Sequence, residues 1–340
     1  MKRLLVALLA LSSLAFAQKE MRLFIWSEYM DPAIIKAFEQ KYNLKVRIDL
    51  YESNEDMVAK LQAGGVSQYD VVVPSDYIIP SMVQLGLLQP LDQSKIPNLK
   101  NLDTKFKSPP YDPGNKYSAA YQWGSVGLMY RKDKVKTPDS WSVIFDPKGT
   151  GNYVLMDSVR EMMGAVLKYQ GQSVNAKDPK AVQAAGKLLL DAKKSPRALG
   201  FEGGVGAKNH LVAGQASYAV VYNGDAIKAT GENKNVAFVV PKEGATLFLD
   251  NMAIPAKAPN VEAAHQFINF ILDPKIGAQL SNYNRYATPN AAAKPYINKD
   301  DLKNPAIYPS AAIMNKLEFI LDMGSDSRLY DEVWTAVKSR

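Results

Sequence analysis

Apolar and polar positions follow a regular order between residues 22 and 74. Short apolar runs or a period-two alternation predict strands at 22–25, 45–51 and 69–74, and helical spacing of apolar residues predicts helices at 32–41 and 53–65. Ser53 can cap the second of these helices, and Gly64 can end it. Strands and helices that alternate in this way predict a parallel sheet with helices on both faces, and therefore an α/β fold.

The rest of the chain repeats this pattern less regularly. Strands are predicted at 153–156, 217–222, 236–240 and 247–249, and helices at 161–169, 179–193, 261–272, 276–280 and 309–321. Segments 100–120 and 194–210 are rich in Pro, Gly, Lys and Asn, which predicts loops. A length of 340 residues favours two domains.

Aromatic or acidic residues follow the predicted strands. The segments concerned are 26–29, 75–77, 157–161, 222–225 and 248–250. Ligands of open α/β sheets bind outside the carboxyl ends of the strands, so we expect these segments to converge on one site. Carboxylates hold ammonium groups by charge-assisted hydrogen bonds, and aromatic faces attract cations and cover methylene groups. The combination favours an organic cation with an apolar stem.

Several of these residues also fit a purely structural role. Trp26 can be a core residue, and Glu28 can be a solvated turn residue. Asp31 before Pro32 is typical of a helix start with Asp31 as the cap. Ser75 can cap a helix in the same way. The sequence alone leaves both interpretations open for Trp26, Glu28 and Ser75.

The second half of the chain offers similar alternatives. Ser158 and Glu161 match the S-x-x-E capping box, in which the two side chains satisfy free backbone donors of a helix start. Asp225, in the turn-like NGD, is interpreted as a cap rather than a ligand contact. Asp250 lies between the apolar stretches LFL and NMAIP, where an unpaired carboxylate is costly to bury. Asp250 therefore needs either a Lys or Arg partner or a ligand cation.

The first seventeen residues have the composition of a secretory signal peptide. They begin with Lys2 and Arg3, continue with an apolar run at 4–11, and end in Ala15-Phe16-Ala17. The chain has no cysteine, which excludes disulfides, thiolate metal sites and an acylated thiol. We therefore expect an exported protein without a lipid anchor. Its net charge of +7 comes from scattered residues, so nucleic acid is not an expected partner.

The sequence gives little support for catalysis. It has two histidines, His210 and His265, and it lacks the G-x-S-x-G, phosphate-loop and H-E-x-x-H motifs. We therefore expect no enzymatic activity, no cofactor and no metal. Paired carboxylates that cleave glycosides stay open as an alternative.

Several motifs together resemble a known family. They are WSEYMDP, YESNEDMVAKL, YDVVVPSDYIIPSM, DSVRE, VVYNGDA, VVPKEG followed by LFLDNMAIP, and YATPN. From about residue 20 to its C-terminus, the chain resembles the periplasmic spermidine/putrescine-binding proteins of polyamine ABC transporters. The resemblance implies a type II periplasmic-binding-protein fold, in which two α/β lobes joined by crossing hinge strands enclose the ligand. It implies lobe 1 at 18–124 plus 249–293, and lobe 2 at 125–248 plus 294–340.

The same resemblance implies a function and a site. A monomer in the periplasm would bind a polyamine and deliver it to the permease subunits of an ABC transporter. In the first lobe, the implied ligand contacts are Trp26, Glu28, Tyr29, Ser75 and Tyr77. The remaining implied contacts are Asp157 or Ser158, Glu161, Tyr222, Phe248, Asp250 and Tyr286. Ammonium groups would bind Glu28, Glu161 and Asp250, and the aromatic rings would enclose the methylene stem.

The chain departs from the family pattern at four positions. Ser158 replaces an acidic residue, Tyr222 and Phe248 replace tryptophans, and Ile320 replaces a Gln near the C-terminal helix. The site is therefore expected to be less acidic, which leaves spermidine and putrescine both open. The alternatives are a binding protein of the same fold for ferric iron, through some of the 18 tyrosines, or for another small cation, and a carbohydrate-active enzyme.

Overall fold

The computed structural model describes residues 19–340, so the predicted signal peptide at 1–17 lies outside the described part. The strands are β1 (Lys19–Trp26), β2 (Leu44–Tyr51), β3 (Val71–Val72), β4 (Leu88–Gln89), β5 (Ser118–Arg131), β6 (Tyr153–Met156), β7 (Ala198–Glu202), β8 (Tyr218–Tyr222), β9 (Val236–Val239), β10 (Ala245–Pro255) and β11 (Leu317–Phe319). The α-helices are α1 (Pro32–Tyr42), α2 (Asn54–Gln62), α3 (Ile79–Gln84), α4 (Ser142–Phe145), α5 (Val159–Tyr169), α6 (Pro179–Lys194), α7 (Gly204–Val212), α8 (Asn223–Glu232), α9 (Val261–Ile271), α10 (Pro274–Asn284), α11 (Lys299–Lys303), α12 (Ala311–Met314) and α13 (Ser327–Ser339). None of the helices in this range is both long and apolar enough to cross a membrane.

Strand β5 joins two half-sheets. Its residues up to Ser125 pair with β10, and its residues from Val126 onward pair with β8 and β9. The first half-sheet has the order β2-β1-β3-β10-β5, and the second continues as β5-β8-β6-β7. All residues of β5 and β10 are buried, as expected of strands that are covered on both faces.

The register of β5 and β10 shifts once. Asp250 is opposite Gln122, whereas the next residue, Asn251, is opposite Ala120, so Tyr121 is an extra residue in β5. Such a bulge changes the phase of the inward and outward alternation along the strand. Tyr121 accordingly contacts Tyr29, with the two ring centroids 5.1 Å apart.

The predicted α/β alternation at the start of the chain is confirmed. Strand β1 pairs with both β2 and β3 in parallel. The Asp31 carboxylate caps α1 by accepting a hydrogen bond from the Ala33 backbone at 2.8 Å, and Ser53 caps α2 in the same way. Gly64 follows α2 with a φ of 103°, a left-handed conformation that favours glycine.

Other segments differ from the prediction. The segment 100–120, predicted as a loop, ends in the antiparallel strand β5, and 194–210 contains β7 and most of α7. The helix predicted at 309–321 is only α12, after which β11 pairs with β10. Glycines at the start of α7 suggested a loop, but burial of Ala207 and Leu211 stabilises a helix there. Tertiary packing thus outweighed local composition.

Candidate functional site

A cavity lies where the strand ends of the two half-sheets meet. Its wall consists of Trp26, Ser27, Tyr29, Glu52, Ser75, Met156, Asp157, Ser158, Glu161, Gly204, Val205, Tyr222, Asp225, Phe248, Asp250 and Tyr286. About 580 Å³ inside it is not occupied by protein atoms, including a part that is open to solvent. Ten of the twelve predicted site residues lie on this wall, so the structure brings most of them together.

Asp250 is a buried carboxylate on the cavity wall, with only 4% of its surface exposed. It accepts hydrogen bonds from the Ser75 hydroxyl at 2.7 Å and from the Tyr29 hydroxyl at 2.8 Å. Burial raises its pKa to about 7, although these two hydrogen bonds act in the opposite direction. Among residues 19–340, no lysine or arginine forms a salt bridge with it, so the internal cation considered from the sequence is not found there.

Glu161 is a second buried carboxylate, 3% exposed, near the start of α5. The Ser158 hydroxyl donates a hydrogen bond to it and makes no capping bond to the helix backbone. The capping-box interpretation is therefore wrong. Burial raises the pKa of Glu161, and the hydrogen bond from Ser158 partly opposes that effect. Glu161 also repels Asp250 and raises its pKa further, so the cavity favours positive charge.

Asp225 is a third buried carboxylate on the cavity wall. It lies in the first turn of α8, where a turn was predicted, and the N-cap position of that helix is Tyr222. The interpretation of Asp225 as a cap is therefore wrong. Burial raises its pKa to about 6, while a hydrogen bond from Tyr286 and the charge of Lys208 act against this.

Four aromatic rings pack edge to face along one side of the cavity. The ring centroids of Tyr29 and Tyr286 are 5.0 Å apart, those of Tyr286 and Phe248 are 5.9 Å apart, and those of Phe248 and Tyr222 are 5.2 Å apart. A Cβ atom at Gly224 would lie about 2.4 Å from the Tyr286 ring. Glycine at position 224 therefore leaves the space that this ring occupies.

Trp26 combines both roles that the sequence left open. Its indole N–H donates a hydrogen bond of 2.9 Å to the Val73 carbonyl, and its ring packs 4.6 Å from that of Tyr51. The side chain is nevertheless only half buried and lines the cavity. Core packing thus fixes the orientation of a ring that faces the site.

Asp157 lies at the rim of the cavity. Its carboxylate is 2.7 Å from the Lys338 ammonium, and its side chain is 41% exposed. Both Asp157 and Ser158 therefore reach the cavity wall, but the charge of Asp157 is already paired. Ser158 lies against Glu161 instead.

Glu28 does not line the cavity, in contrast to the prediction. Its carboxylate is 3.1 Å from the Lys208 ammonium and 3.0 Å from that of Lys228. Burial raises the pKa of Glu28, but hydrogen bonds from Lys228 and Lys208 outweigh it and hold the pKa below its usual value. Lys208, 2% exposed, is on α7, so Glu28 connects the end of β1 to the helices of the second half-sheet. The ammonium groups of Lys208 and Lys228 therefore lie where a ligand ammonium was predicted, beside the Glu28 carboxylate.

Tyr77 also lies outside the cavity. Its hydroxyl accepts a hydrogen bond of 3.0 Å from the Asn54 amide, and its ring lines a second cavity on the far side of β10. Ile320, which was expected to make the ligand site less polar, lines that second cavity too. Tyr77 and Ile320 were expected at the same cavity as Asp250, but both line the second cavity instead.

Six residues of the cavity wall were not predicted as individual ligand contacts, although Ser27 and Asp225 lie in strand-end segments expected there. They are Ser27, Glu52, Met156, Gly204, Val205 and Asp225. Glu52 directly follows β2, so the strand-end rule could have identified it. Met156 is the last residue of the strand predicted at 153–156 and could have been found in the same way. Gly204 and Val205 lie in a segment interpreted as a loop, and no pattern there indicates a binding role.

The three buried carboxylates and the ring wall together suit a slender, positively charged guest. Burial of unpaired charge is unfavourable, and an ammonium group in the cavity would relieve it. Within residues 19–340, no group of three or more acidic, histidine or cysteine side chains is arranged to hold a metal ion. The rings of the wall can cover an apolar stem, which an organic cation has and a ferric ion lacks, so the cavity favours an organic cation.

Comparison with known proteins agrees with the fold. The family described as bacterial extracellular solute-binding protein matches residues 33–309. The spermidine/putrescine-binding periplasmic protein of Salmonella typhimurium is 34% identical over 316 residues, covering 92% of this chain and 90% of its own length. A putrescine-binding periplasmic protein of Pseudomonas aeruginosa is 36% identical, covering 99% of this chain and 98% of its own. Among solved structures, a protein of Listeria monocytogenes described as a candidate spermidine/putrescine ABC transporter is 36% identical with a TM-score of 0.87, covering 94% of this chain and 99% of its own.

Proposed function

Since the chain belongs to the family of bacterial extracellular solute-binding proteins, we propose that it captures a polyamine, spermidine or putrescine, and delivers it to the permease of an ABC transporter. Relatives that bind these amines cover nearly the whole chain, which supports the ligand class. We further propose that the protein works in the periplasm as a monomer and has no catalytic role.

The observation that carries the proposal is the set of buried carboxylates without an internal cation. Asp250 and Glu161 are almost fully buried in one cavity, and neither forms a salt bridge within the described residues. A charge-assisted hydrogen bond to each ammonium would contribute about 1.5 to 3 kcal/mol. A neutral or anionic solute would leave these carboxylates unpaired.

The aromatic side of the cavity accounts for the stem of the ligand. Burial of each methylene group is worth about 0.8 kcal/mol, and an ammonium over a ring adds about 0.5 to 2 kcal/mol. Tyr29, Tyr286 and Phe248 present their rings next to Asp250. We assign these rings to the methylene stem, with Asp250 and Glu161 holding the ammonium groups.

We also assign the half-sheets to two lobes that close over the ligand. Lobe 1 comprises 18–124 plus 249–293, and lobe 2 comprises 125–248 plus 294–340. The change of partners in β5 after Ser125 supports a boundary there. Helix α13 belongs with the second lobe, because Val333 packs on Gly186 of α6. Closure excludes water from the cavity and strengthens its ion pairs.

Calorimetric titration with putrescine, spermidine and spermine tests the proposal. We expect at least one of them to bind with micromolar or tighter affinity. Butane-1,4-diol is the matched control, because it has the stem of putrescine without its charges. Equal binding of the diol and the diamine, or no binding of any amine, would refute the proposal. Mass spectrometry of the small molecule that accompanies the purified protein would identify the ligand directly.

A further inference from the structure

A second cavity, which we call the rear pocket, lies behind strand β10. It is on the face opposite to the cavity lined by Asp250 and Glu161, which we call the polyamine cavity. Leu249 lines the rear pocket, whereas its neighbours Phe248 and Asp250 line the polyamine cavity. Consecutive strand residues point to opposite faces, so a wall one strand thick separates the two cavities.

The rear pocket is mainly apolar and aromatic. Phe106, Tyr111 and Trp123 contribute rings, and Leu249 contributes an aliphatic side chain. Counted as the space open to the centre of a water molecule, its volume is about 240 Å³, and the same measure gives about 40 Å³ for the polyamine cavity. Since an apolar protein cavity of roughly 150 Å³ is enough to bind benzene, the rear pocket has room for one aromatic ring and a short side arm.

Asp76 provides a buried carboxylate in this apolar wall. Only 2% of its surface is exposed, and one of its oxygens accepts a hydrogen bond of 2.9 Å from the Tyr77 backbone N–H. No lysine or arginine of residues 19–340 forms a salt bridge with Asp76, and burial together with the charge of Asp250 raises its pKa well above the usual value. With no cation beside Asp76, its ionisation inside this apolar wall is costly, and a bound ammonium would favour the ionised form.

A lysine of the chain already shows that the rings of this pocket accept a cation. The Lys105 ammonium lies 4.7 Å from the ring centroid of Phe106 and 4.8 Å from that of Trp123. Lys105 nevertheless makes no salt bridge with Asp76. Phe319 and Leu321, which also line the pocket, are 39% and 58% exposed, which is unusual for such large apolar side chains.

We propose that the rear pocket binds a small organic monocation with one aromatic ring, an arylalkylamine, whose ammonium pairs with Asp76 and whose ring packs against Phe106 and Trp123. A single charge is required because Asp76 is the only buried carboxylate on this wall. The other carboxylate of the pocket, Asp322, is exposed, so a second ammonium would gain little there and would elsewhere meet apolar side chains or the like charge of Lys105. The chemistry therefore excludes putrescine from the rear pocket and separates the ligands of the two sites.

The two cavities contain different reporters for an experiment on the unmodified protein. Trp123 lines the rear pocket and Trp26 lines the polyamine cavity, so their indole N–H signals in a ¹H–¹⁵N spectrum report the two sites separately. We expect 2-phenylethylamine to shift the Trp123 signal saturably, and to do so equally in the presence of saturating putrescine. Failure to bind at millimolar concentration, or a shift of Trp26 that putrescine reverses, overturns the proposal.

Two variants and one neutral probe complete the test. Asp76→Asn retains the oxygen that accepts from Tyr77, and should weaken 2-phenylethylamine binding at least tenfold. Asp322→Asn, at the exposed carboxylate of the same pocket, should leave it nearly unchanged. If Asp76→Asn does not fold, the same question is asked of the unmodified protein with the neutral ligand 2-phenylethanol. This alcohol should bind at least tenfold more weakly than the amine. Equal binding by the alcohol, or by Asp76→Asn, shows that the carboxylate is not used and overturns the assignment. Polyamine binding itself is measured separately, so the two proposals fail independently.

Discussion

Ser75 and Asp250 are joined twice, by an antiparallel backbone bridge and by a hydrogen bond of 2.7 Å from the Ser75 hydroxyl to the carboxylate. The two residues are 175 positions apart in the chain. Their contact places a carboxylate of the long strand β10 at the end of the short strand β3. It also fixes the orientation of that carboxylate before any ligand binds, which lowers the cost of binding an ammonium.

The first prediction concerns the charge of Asp250. Asp250→Asn keeps the shape and one acceptor oxygen, for either Ser75 or Tyr29, but removes the charge that we assign to an ammonium. We expect the free energy of polyamine binding to weaken by about 1.5 to 3 kcal/mol, roughly tenfold to a hundredfold in Kd. Calorimetry measures the change. Asp157→Asn is the matched control, because Asp157 is exposed and paired with Lys338, and its effect should be small.

The second prediction concerns the pH dependence of binding. The pKa of Asp250 in the free protein is raised to about 7, and a bound ammonium would lower it. Affinity should therefore be complete above about pH 7 and weaken as the pH falls below that value, with release of a proton on binding. Titrations in buffers of different ionisation enthalpy would measure this proton. Affinity that is independent of pH between about 5 and 8 would contradict the assignment.

The third prediction concerns stability without ligand. The pKa values of Asp250 and Asp225 are raised to about 7 and about 6, whereas both groups titrate near 3.8 when unfolded. The folded protein then retains protons that the unfolded chain has lost, so this contribution to stability is complete in acid and is lost as the pH rises towards 7.

The ligand-free Tm should therefore be higher near pH 5 than near pH 8, and the increase in Tm caused by a polyamine should be larger near pH 8. Thermal unfolding followed by circular dichroism measures both. The variant Asp250→Asn should show a smaller change with pH. A ligand-free Tm that rises from pH 5 to pH 8 would contradict the raised pKa values of these two buried carboxyl groups.

The fourth prediction separates two roles of Glu28. If Glu28 connects the half-sheets through Lys208 and Lys228, Glu28→Gln should weaken the binding of every polyamine by the same factor. It should also lower stability by about 1 to 3 kcal/mol, because Lys208 is buried and loses a partner. Calorimetry with several amines and thermal unfolding provide the measurements. A loss confined to the longer amines would instead mean that Glu28 contacts an ammonium.

The fifth prediction uses two glycines of the same helix. A methyl group at Gly224 would collide with the Tyr286 ring, whereas nothing lies within 4 Å of a Cβ at Gly231. Gly224→Ala should displace the ring and weaken polyamine binding at least tenfold. Gly231→Ala should leave binding unchanged and stabilise α8 by up to about 1 kcal/mol. Equal affinities of the two variants would show that the position of Tyr286 is not required.

The strand-end rule predicted residues of the cavity wall well where strands are regular. Trp26, Tyr222 and Asp250 could be identified because an apolar run ends at each of them, and a sheet brings such ends together. The same rule predicted Glu28 and Tyr77 beside them, but neither lines the cavity. Both residues come after a strand, but the direction of a side chain there depends on the conformation of the turn. Glu28 has a φ of 54°, and its carboxylate contacts lysines 180 and 200 positions away in the chain. Contacts of that kind have no local signal.

The fold shows the same limit. Helices α1 and α2 were predicted with their caps, since a cap is formed by residues two or three positions apart. Strand β5 was missed because it is buried on both faces and contains small, polar and aromatic residues without a period. Strand β11 was missed because its pairing with β10 is a long-range contact. Elements fixed by neighbours in sequence were predictable, and elements fixed by partners in space were not.

The extra residue Tyr121 limits how the length of this protein can change. Strand β5 pairs with β10 on both sides of Tyr121, and the pairing is offset by one residue between the two stretches. Deletion of Tyr121 would leave both stretches paired with β10 on their present faces, but it would remove the ring that packs against Tyr29. Deletion of any other residue of β5 would shift one stretch by one position and exchange its two faces. Insertions and deletions between homologues should therefore accumulate in the loops and avoid this strand.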